Sequence, residues 1–340
     1  MPDMKNLLQN LYRFILRENL HRLLFLVGGL IVFSTVGLVV FEKDISWPNA
    51  IWWSMVTLTT VGYGDIAPAS FGGRVVGAIT MVFGIGVLGM FTATIASVFV
   101  ERKLKENRGM TAYDFEGHLL LCEWNYRSRD VLAQLRTDPR MAGSPIVLIA
   151  DLEEKPVDDE NLFFIQGDVT EENLRRANLE KAKTAVVMGD DSLDANARDA
   201  QVVLAALAIE SINPNVYTIT ELVNERNVRH CKRAHVDEVI VSSEFNSRLI
   251  ARAAVDHGLS VVLTELLSTS VGNDIVKVPV PDDLADRPFL EVFREMKQRR
   301  DSIVLALQRG DEGAVIANPA ADLNVERGDA LIVISGPADA

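Results

Sequence analysis

The segment Thr60-Val61-Gly62-Tyr63-Gly64-Asp65 has the residue types and spacing to hold a dehydrated cation on backbone oxygens. Carbonyl groups replace an ion's water shell when successive ones point at a common axis. The chain must then alternate between ordinary and left-handed backbone, and glycine enters the left-handed region without a Cβ penalty. Gly62 and Gly64 stand at alternate positions, and the Thr60 hydroxyl adds an oxygen at one end. Val61 and Tyr63 then point away from the axis and need bracing. One chain supplies one side of such a cage, so closure requires a cyclic homotetramer.

The flanking elements must position that segment. Ser46-Trp47-Pro48 reads as a helix start, with proline in the first turn. Residues 49–59 then form a short helix whose negative dipole end favours a cation. Trp52 and Trp53 are placed on it to pack behind Val61 and Tyr63, with an indole N–H available to Tyr63 or Asp65. On either side lie uncharged apolar runs, residues 23–41 and 75–100, of 19 and 26 residues. At about 1.5 Å per residue both span a hydrocarbon core of about 30 Å. Lys5, Arg13, Arg17 and Arg22 precede the first run, and Arg102, Lys103, Lys105 and Arg108 follow the second. The connecting loop has only Lys43 and Arg74, so the positive-inside rule predicts a multi-pass protein of the cell membrane, in contact with lipid, with both termini cytoplasmic. Residues 6–20 fit either an amphipathic helix along the inner interface or an extension of the first span.

Thr59-Thr60-Val61-Gly62-Tyr63-Gly64-Asp65 resembles the signature of potassium channels, which implies potassium ions in the filter. That resemblance also implies a gating hinge at Gly84, in the second span's Gly84-Ile85-Gly86-Val87-Leu88-Gly89. The competing reading of these glycines is close helix packing. Gly89, Thr92, Ala93 and Ser97 are candidates for the inner vestibule. In the calcium-gated prokaryotic channels that the chain resembles, acidic residues ring the inner mouth; Ala93 and Ser97 are neutral here.

Beyond the second span the character changes. The formal net charge is -13, and the acid excess sits in this part. An acidic face argues against nucleic acid as a partner. The cysteines, Cys122 and Cys231, show no paired spacing, and the five histidines show no metal spacing. Apolar strands are predicted at 118–123, 145–150, 163–166, 184–188, 215–220 and 238–241, with helices between, which implies a doubly wound parallel sheet. A dinucleotide site would need G-x-G-x-x-G after the first strand, but Cys122, Trp124 and Arg127 stand at those positions. Asp151 lies where a ribose-binding acid would, so Trp124 and Asp151 mark a modified nucleotide cleft. Read as a membrane-anchored NAD-dependent enzyme, the chain lacks the phosphate loop and any substrate domain with a catalytic pair, so it is not expected to be an enzyme.

Residues 164–170 (Phe-Ile-Gln-Gly-Asp-Val-Thr) with Leu174, Ala177 and Asn178 resemble an RCK domain, the module that regulates conductance of potassium. So do residues 237–242, and the stretch 275–335 resembles the smaller C-terminal subdomain, with 322–331 as its closing turn and strand. The implied fold is multi-domain: an all-α two-helix transmembrane pore, an α/β Rossmann-like RCK domain and a small α+β C-terminal subdomain. The expected boundaries are an N-terminal helix at 1–22, pore at 23–100, linker at 101–117, Rossmann-like domain at 118–243, crossover helices and dimer interface at 244–270, and C-terminal subdomain at 271–340. The likeness is greatest to calcium-gated channels with two spans, whose domains build an octameric ring. Four of its copies are soluble and begin at an internal methionine. Met110 stands at the matching place, where an ordinary linker methionine is the other reading. The resemblance further implies a ligand site of carboxylates after the fourth and fifth strands. Glu221 matches one acid, Val223 replaces a second, and Gly189 replaces a third, beside Asp190, Asp191 and Asp194. Calcium or another divalent cation is then held by Asp190, Asp191, Asp194, Glu221 and Glu225; alternatively the acids cap the helix starting near Asp191. The expected function is a potassium channel gated by a divalent cation, with a nucleotide or pH as the alternative.

Overall fold

The computed structural model describes residues 20–267, 272–310 and 313–336, so the helix expected over 6–20 lies outside the described residues apart from Leu20. The chain divides into two compact units, Met1–Lys105 and Glu106–Ala340.

The first unit holds three helices, α1 (Leu20–Phe41), α2 (Trp47–Leu58) and α3 (Phe71–Asn107). Both α1 and α3 are long and apolar enough to cross a membrane. The short α2 begins after Ser46 with proline in its first turn, as its sequence predicts, although the Ser46 side chain makes no capping bond. It packs on α1, and the Thr35 and Ser54 hydroxyls meet across that contact at 3.1 Å. Leu38, Ala50, Trp53 and Val76 form the small core among the three helices. The α3 helix continues past the apolar run that ends at residue 100 and stays helical through much of the expected linker. Lys105 and Glu101 pair at i,i+4 on this extension, which suits a charged helix in water.

The second unit opens with a six-stranded parallel sheet: β1 (Leu119–Cys122), β2 (Ile146–Ala150), β3 (Leu162–Gln166), β4 (Thr184–Val187), β5 (Tyr217–Leu222) and β6 (Glu238–Val241), in the order β3-β2-β1-β4-β5-β6. Its central strands are apolar throughout, because helices cover both faces. Between the strands lie α4 (Tyr126–Thr137), α5 (Glu171–Arg176), α6 (Ala195–Ile212) and α7 (Val228–Arg233). Then α8 (Ser242–Val255) and α9 (Leu259–Leu266) follow, and neither buries a residue in this chain. The C-terminal part contains β7 (Asp274–Pro279), β8 (Arg287–Pro288), α10 (Phe289–Arg300), β9 (Ile303–Gln308), β10 (Val315–Ala317), β11 (Asn324–Val325) and β12 (Ala330–Ser335). Its antiparallel sheet has the order β10-β9-β12-β7 and packs on α10 through Val292 and Met296.

Residues after α3 do not hang free. Gln166 N, at the end of the edge strand β3, donates to Gly109 O at 3.2 Å. The Arg176 guanidinium donates to Gly109 O at 2.6 Å and to Thr111 O at 3.3 Å. A Cβ on Gly109 would lie 2.2 Å from Gln166 N, so this approach requires glycine, here at φ 64°.

Candidate functional site: a carbonyl filter and a strand-end cleft

Three alternate residues of the filter segment have left-handed backbone: Thr60 at φ 62°, Gly62 at 56° and Gly64 at 72°. This is the alternation that a column of converging carbonyls requires. Thr60 in this region was not expected from its side chain, since a β-branched residue is strained there. Its neighbours hold it: Thr60 N donates to Thr57 O, and Val61 N and Gly62 N both donate to Val56 O, at the end of α2. The brace is also in place. Trp52 Nε1 donates to Asp65 Oδ2 at 2.9 Å, and the Trp52 ring stacks on Tyr63 with centroids 6.0 Å apart. Of the two partners open to the indole, Asp65 is the one engaged.

Trp53 lines the cavity beside Thr60, Gly62 and Gly64 from the core side. It is buried in the small core, with its ring against Gly77 of α3, so it fixes α2 to the second span. The glycines of α3 also differ from one another. The helix runs unbroken through Gly84, where a Cβ would meet Leu58 Cδ1 at 2.9 Å, whereas Gly89 has open space around it. Gly84 therefore makes the close contact with the end of α2 that the packing reading describes.

At the carboxyl ends of the strands the expected metal cluster is not assembled. Asp190 folds back on Ser192, accepting from its N at 2.8 Å and Oγ at 2.7 Å. Asp194 caps α6 by accepting from Asn196 N and Ala197 N. Glu225 sits in the turn Glu225–Asn227 and lines a different groove, with Arg229 and Lys232. Only Asp191 and Glu221 converge, and arginines lie between them. Arg127 reaches Asp191 at 2.7 Å and Glu221 at 2.9 Å; Arg198 reaches Asp191 at 2.6 Å and Glu221 at 3.5 Å. Among the described residues no group of three or more acids, histidines or cysteines is gathered as a metal cage. Gly189 explains part of this, since a Cβ there would lie 2.3 Å from Arg198 Cγ. The missing side chain makes room for the arginine stem.

The cleft after β1 is closed to a pyrophosphate for reasons beyond Trp124. Of the amides at the start of α4, Ser128 N is already served: it donates to Asn125 Oδ1 at 2.9 Å in a capping box, and the Asn125 side-chain amide donates to Gly189 O at 2.9 Å. A phosphate would need those helix-terminal amides. Trp124 packs into the core beneath α4 rather than lining an open slot, and Asp151 is exposed after β2. The turn residue with left-handed backbone is Glu123, at φ 72°, one position after Cys122, which stands in place of the motif's first glycine. Glu123 was missed. Its signal was a charged residue directly after an all-apolar strand. It is 7% exposed, and Gln201 Nε2 donates to its Oε1 at 3.2 Å. Burial, then the neighbouring charges of Asp190, Asp168 and Asp151, push its carboxyl up to about 7. Asp199 was missed as well. It is buried on α6 and accepts from Val223 N, Asn224 N and Asn227 Nδ2 at 2.8–2.9 Å, which fixes the loop after β5.

Comparison with known proteins agrees with both halves. Residues 21–101 match the ion channel family model, and residues 114–220 match that of the calcium-activated potassium channel slowpoke-like RCK domain. The chain is 34% identical over 247 residues to the calcium-gated potassium channel TvoK of Thermoplasma volcanium, covering 72% of this chain and 70% of that one. It is 26% identical over 293 residues to potassium channel protein 1 of Methanocaldococcus jannaschii, covering 83% and 84%. Among solved structures, the human SLO3 gating ring superposes with a TM-score of 0.51 at 19% identity, over 64% of this chain and 44% of that one. The GsuK channel gives a TM-score of 0.50 at 18% identity, over 72% and 65%. These two likenesses concern the fold.

Proposed function

Because this chain belongs to the two-span potassium channels that carry a C-terminal RCK domain, we propose that it works as a homotetramer whose pore is opened and closed by a cytoplasmic ring of those domains. The family is one of ion channels, not of enzymes. The alternating left-handed backbone at Thr60, Gly62 and Gly64 carries the reading, because it turns one strand of chain into one wall of a cation column. Potassium is the ion carried. A cavity of about 400 Å³ behind the filter, lined by Trp53, Thr57, Thr60, Met81 and Ile85 among others, is room for side chains of an adjoining copy. The exposed apolar side chains Phe245, Ile250, Val255, Val261 and Val262 on α8 and α9 favour pairing of RCK domains through these helices. By the positive-inside rule, the flanking cations favour a cytoplasmic position for both termini.

TvoK is calcium-gated by name, which favours a divalent cation as the gating ligand here. In this chain Asp191 and Glu221 accept such an ion only when Arg127 and Arg198 withdraw, so calcium affinity is expected to be weak. A ligand that binds the two states of the ring unequally shifts the gate by that difference. Rubidium uptake into liposomes containing the purified chain tests the pore. Uptake that resists excess sodium is the expected result, and equal passage of sodium removes the proposal. Adding calcium on the side of the RCK domain then tests the ligand, with a response expected only at high concentration.

A further inference from the structure

The end of β1 carries a titratable group that the neighbouring ion-pair network leaves out. Glu123 is almost fully buried, and among the described residues its carboxylate takes one hydrogen bond, from Gln201 Nε2 on α6. Its charged neighbours are of the same sign. Asp151 follows β2, Asp168 follows β3 and Asp190 follows β4, and the parallel register sets these strand ends beside that of β1. The cations on the adjoining helices, Arg127 on α4 and Arg198 on α6, are engaged with Asp191 and Glu221. Meanwhile the other amide atom, Gln201 Oε1, is buried with no hydrogen-bond partner. A carboxylate has no hydrogen to give it. A protonated carboxyl does: in a paired carboxyl–amide arrangement its O–H would donate to Gln201 Oε1 while its second oxygen keeps the bond from Nε2.

We propose that Glu123 and Gln201 form a proton-binding site at the carboxyl edge of the parallel sheet, so that the ligand read there is the hydrogen ion and the bond between β1 and α6 tightens when it binds. One proton from solvent joins one carboxylate oxygen, and no other bond is made or broken. The effect does not stay local, since Asp199, on the same helix, holds the loop after β5. The regulatory half rests on the reading that the RCK ring sets the gate. Sign follows from the raised carboxyl: it is about 7 in the folded chain against the ordinary 4.5, so folding favours the protonated form. The stabilisation is full below 4.5 and is lost as pH rises through about 7.

The test uses the full chain in liposomes or detergent, with thermal midpoint and rubidium flux followed across neutral pH. Wild type is expected to lose thermal midpoint progressively as pH rises from about 4.5, levelling off above about 7, and to change flux in a step near 7. Glu123→Gln, uncharged at every pH, should flatten both steps. Asp168→Asn, in an exposed turn, should move the step to lower pH by removing a like charge. A step with unchanged midpoint in Glu123→Gln, or an Asp168→Asn chain that titrates as wild type does, overturns the site. A thermal step with no accompanying flux step overturns the regulatory half alone. Absence of any flux, at any pH, counts instead against the channel reading, because the thermal measurement does not depend on current.

Discussion

The proposed filter and the strand-end cleft both face positive charge, and they meet it in opposite ways. The filter uses neutral carbonyls forced into line by backbone conformation, with its one acid, Asp65, tied to Trp52. The cleft uses full carboxylates, and where two of these converge the chain supplies its own cations, Arg127 and Arg198. An ion can leave a cage of dipoles quickly, as conduction demands. A guanidinium tethered to a helix cannot leave at all. The difference teaches that resemblance in acid content is a weak guide to an ion site unless the counter-charges are located too.

That contrast can be broken, most severely at the filter. Gly62→Ala or Gly64→Ala forces a side chain into left-handed backbone, at about 1–2 kcal/mol per residue in each of the copies. Loss of potassium-over-sodium selectivity is expected in bi-ionic recordings, with the RCK domain still folded by circular dichroism. At the cleft, Arg127→Ala leaves two partly buried carboxylates short of a partner, a change on the order of 3 kcal/mol. Thermal unfolding should show it, and Arg127→Ala with Arg198→Ala should raise calcium affinity in calorimetry; unchanged affinity would show that the arginines do not compete with the ion. A smaller effect is expected from Trp52→Phe. It keeps a ring against Tyr63 but deletes the bond to Asp65, worth about 1 kcal/mol, and should shorten open times without abolishing selectivity. Smallest is Gly84→Ala, at about 0.5–1 kcal/mol. Here Leu58→Ala sharpens the reading: if packing explains Gly84, the double variant recovers gating, and if bending explains it, the second change brings no recovery.

What the sequence disclosed follows the range of the forces involved. The left-handed backbone at Gly62 and Gly64 and the Trp52 brace were legible because both are local: glycine spacing dictates backbone shape, and the brace lies within one short helix and the loop after it. The six strands and their parallel arrangement were legible from apolar runs separated by helices, whereas the strand order was not. The packing of Trp53 on Gly77, across the fold on α3, was not legible, because it depends on a contact far away in sequence. The arginine pairs were invisible for a similar reason, since Arg127 meets acids 64 and 94 positions away. Acids are counted easily from sequence, whereas the helix that turns an arginine toward them is seen only in three dimensions. Glu123 was nearer to hand. A residue beside the one aligned to the first glycine of the motif bears the left-handed turn, and shifting the register by one position would have exposed it.

The docking of Gly109 on β3 has a consequence for any form of the chain that begins at Met110. Translation begun at Met110 would yield an RCK domain without the Gly109 carbonyl. Gln166 N–H would then lose its acceptor and Arg176 the nearer of its two backbone acceptors. Lys155 N would also lose its bond to Asn107 O. The sheet edge would end in open donors on the short form and in a closed seam on the long one. Two subunits of otherwise identical sequence would present different chemistry at that margin, which gives an assembling ring a physical basis for sorting them into alternate places.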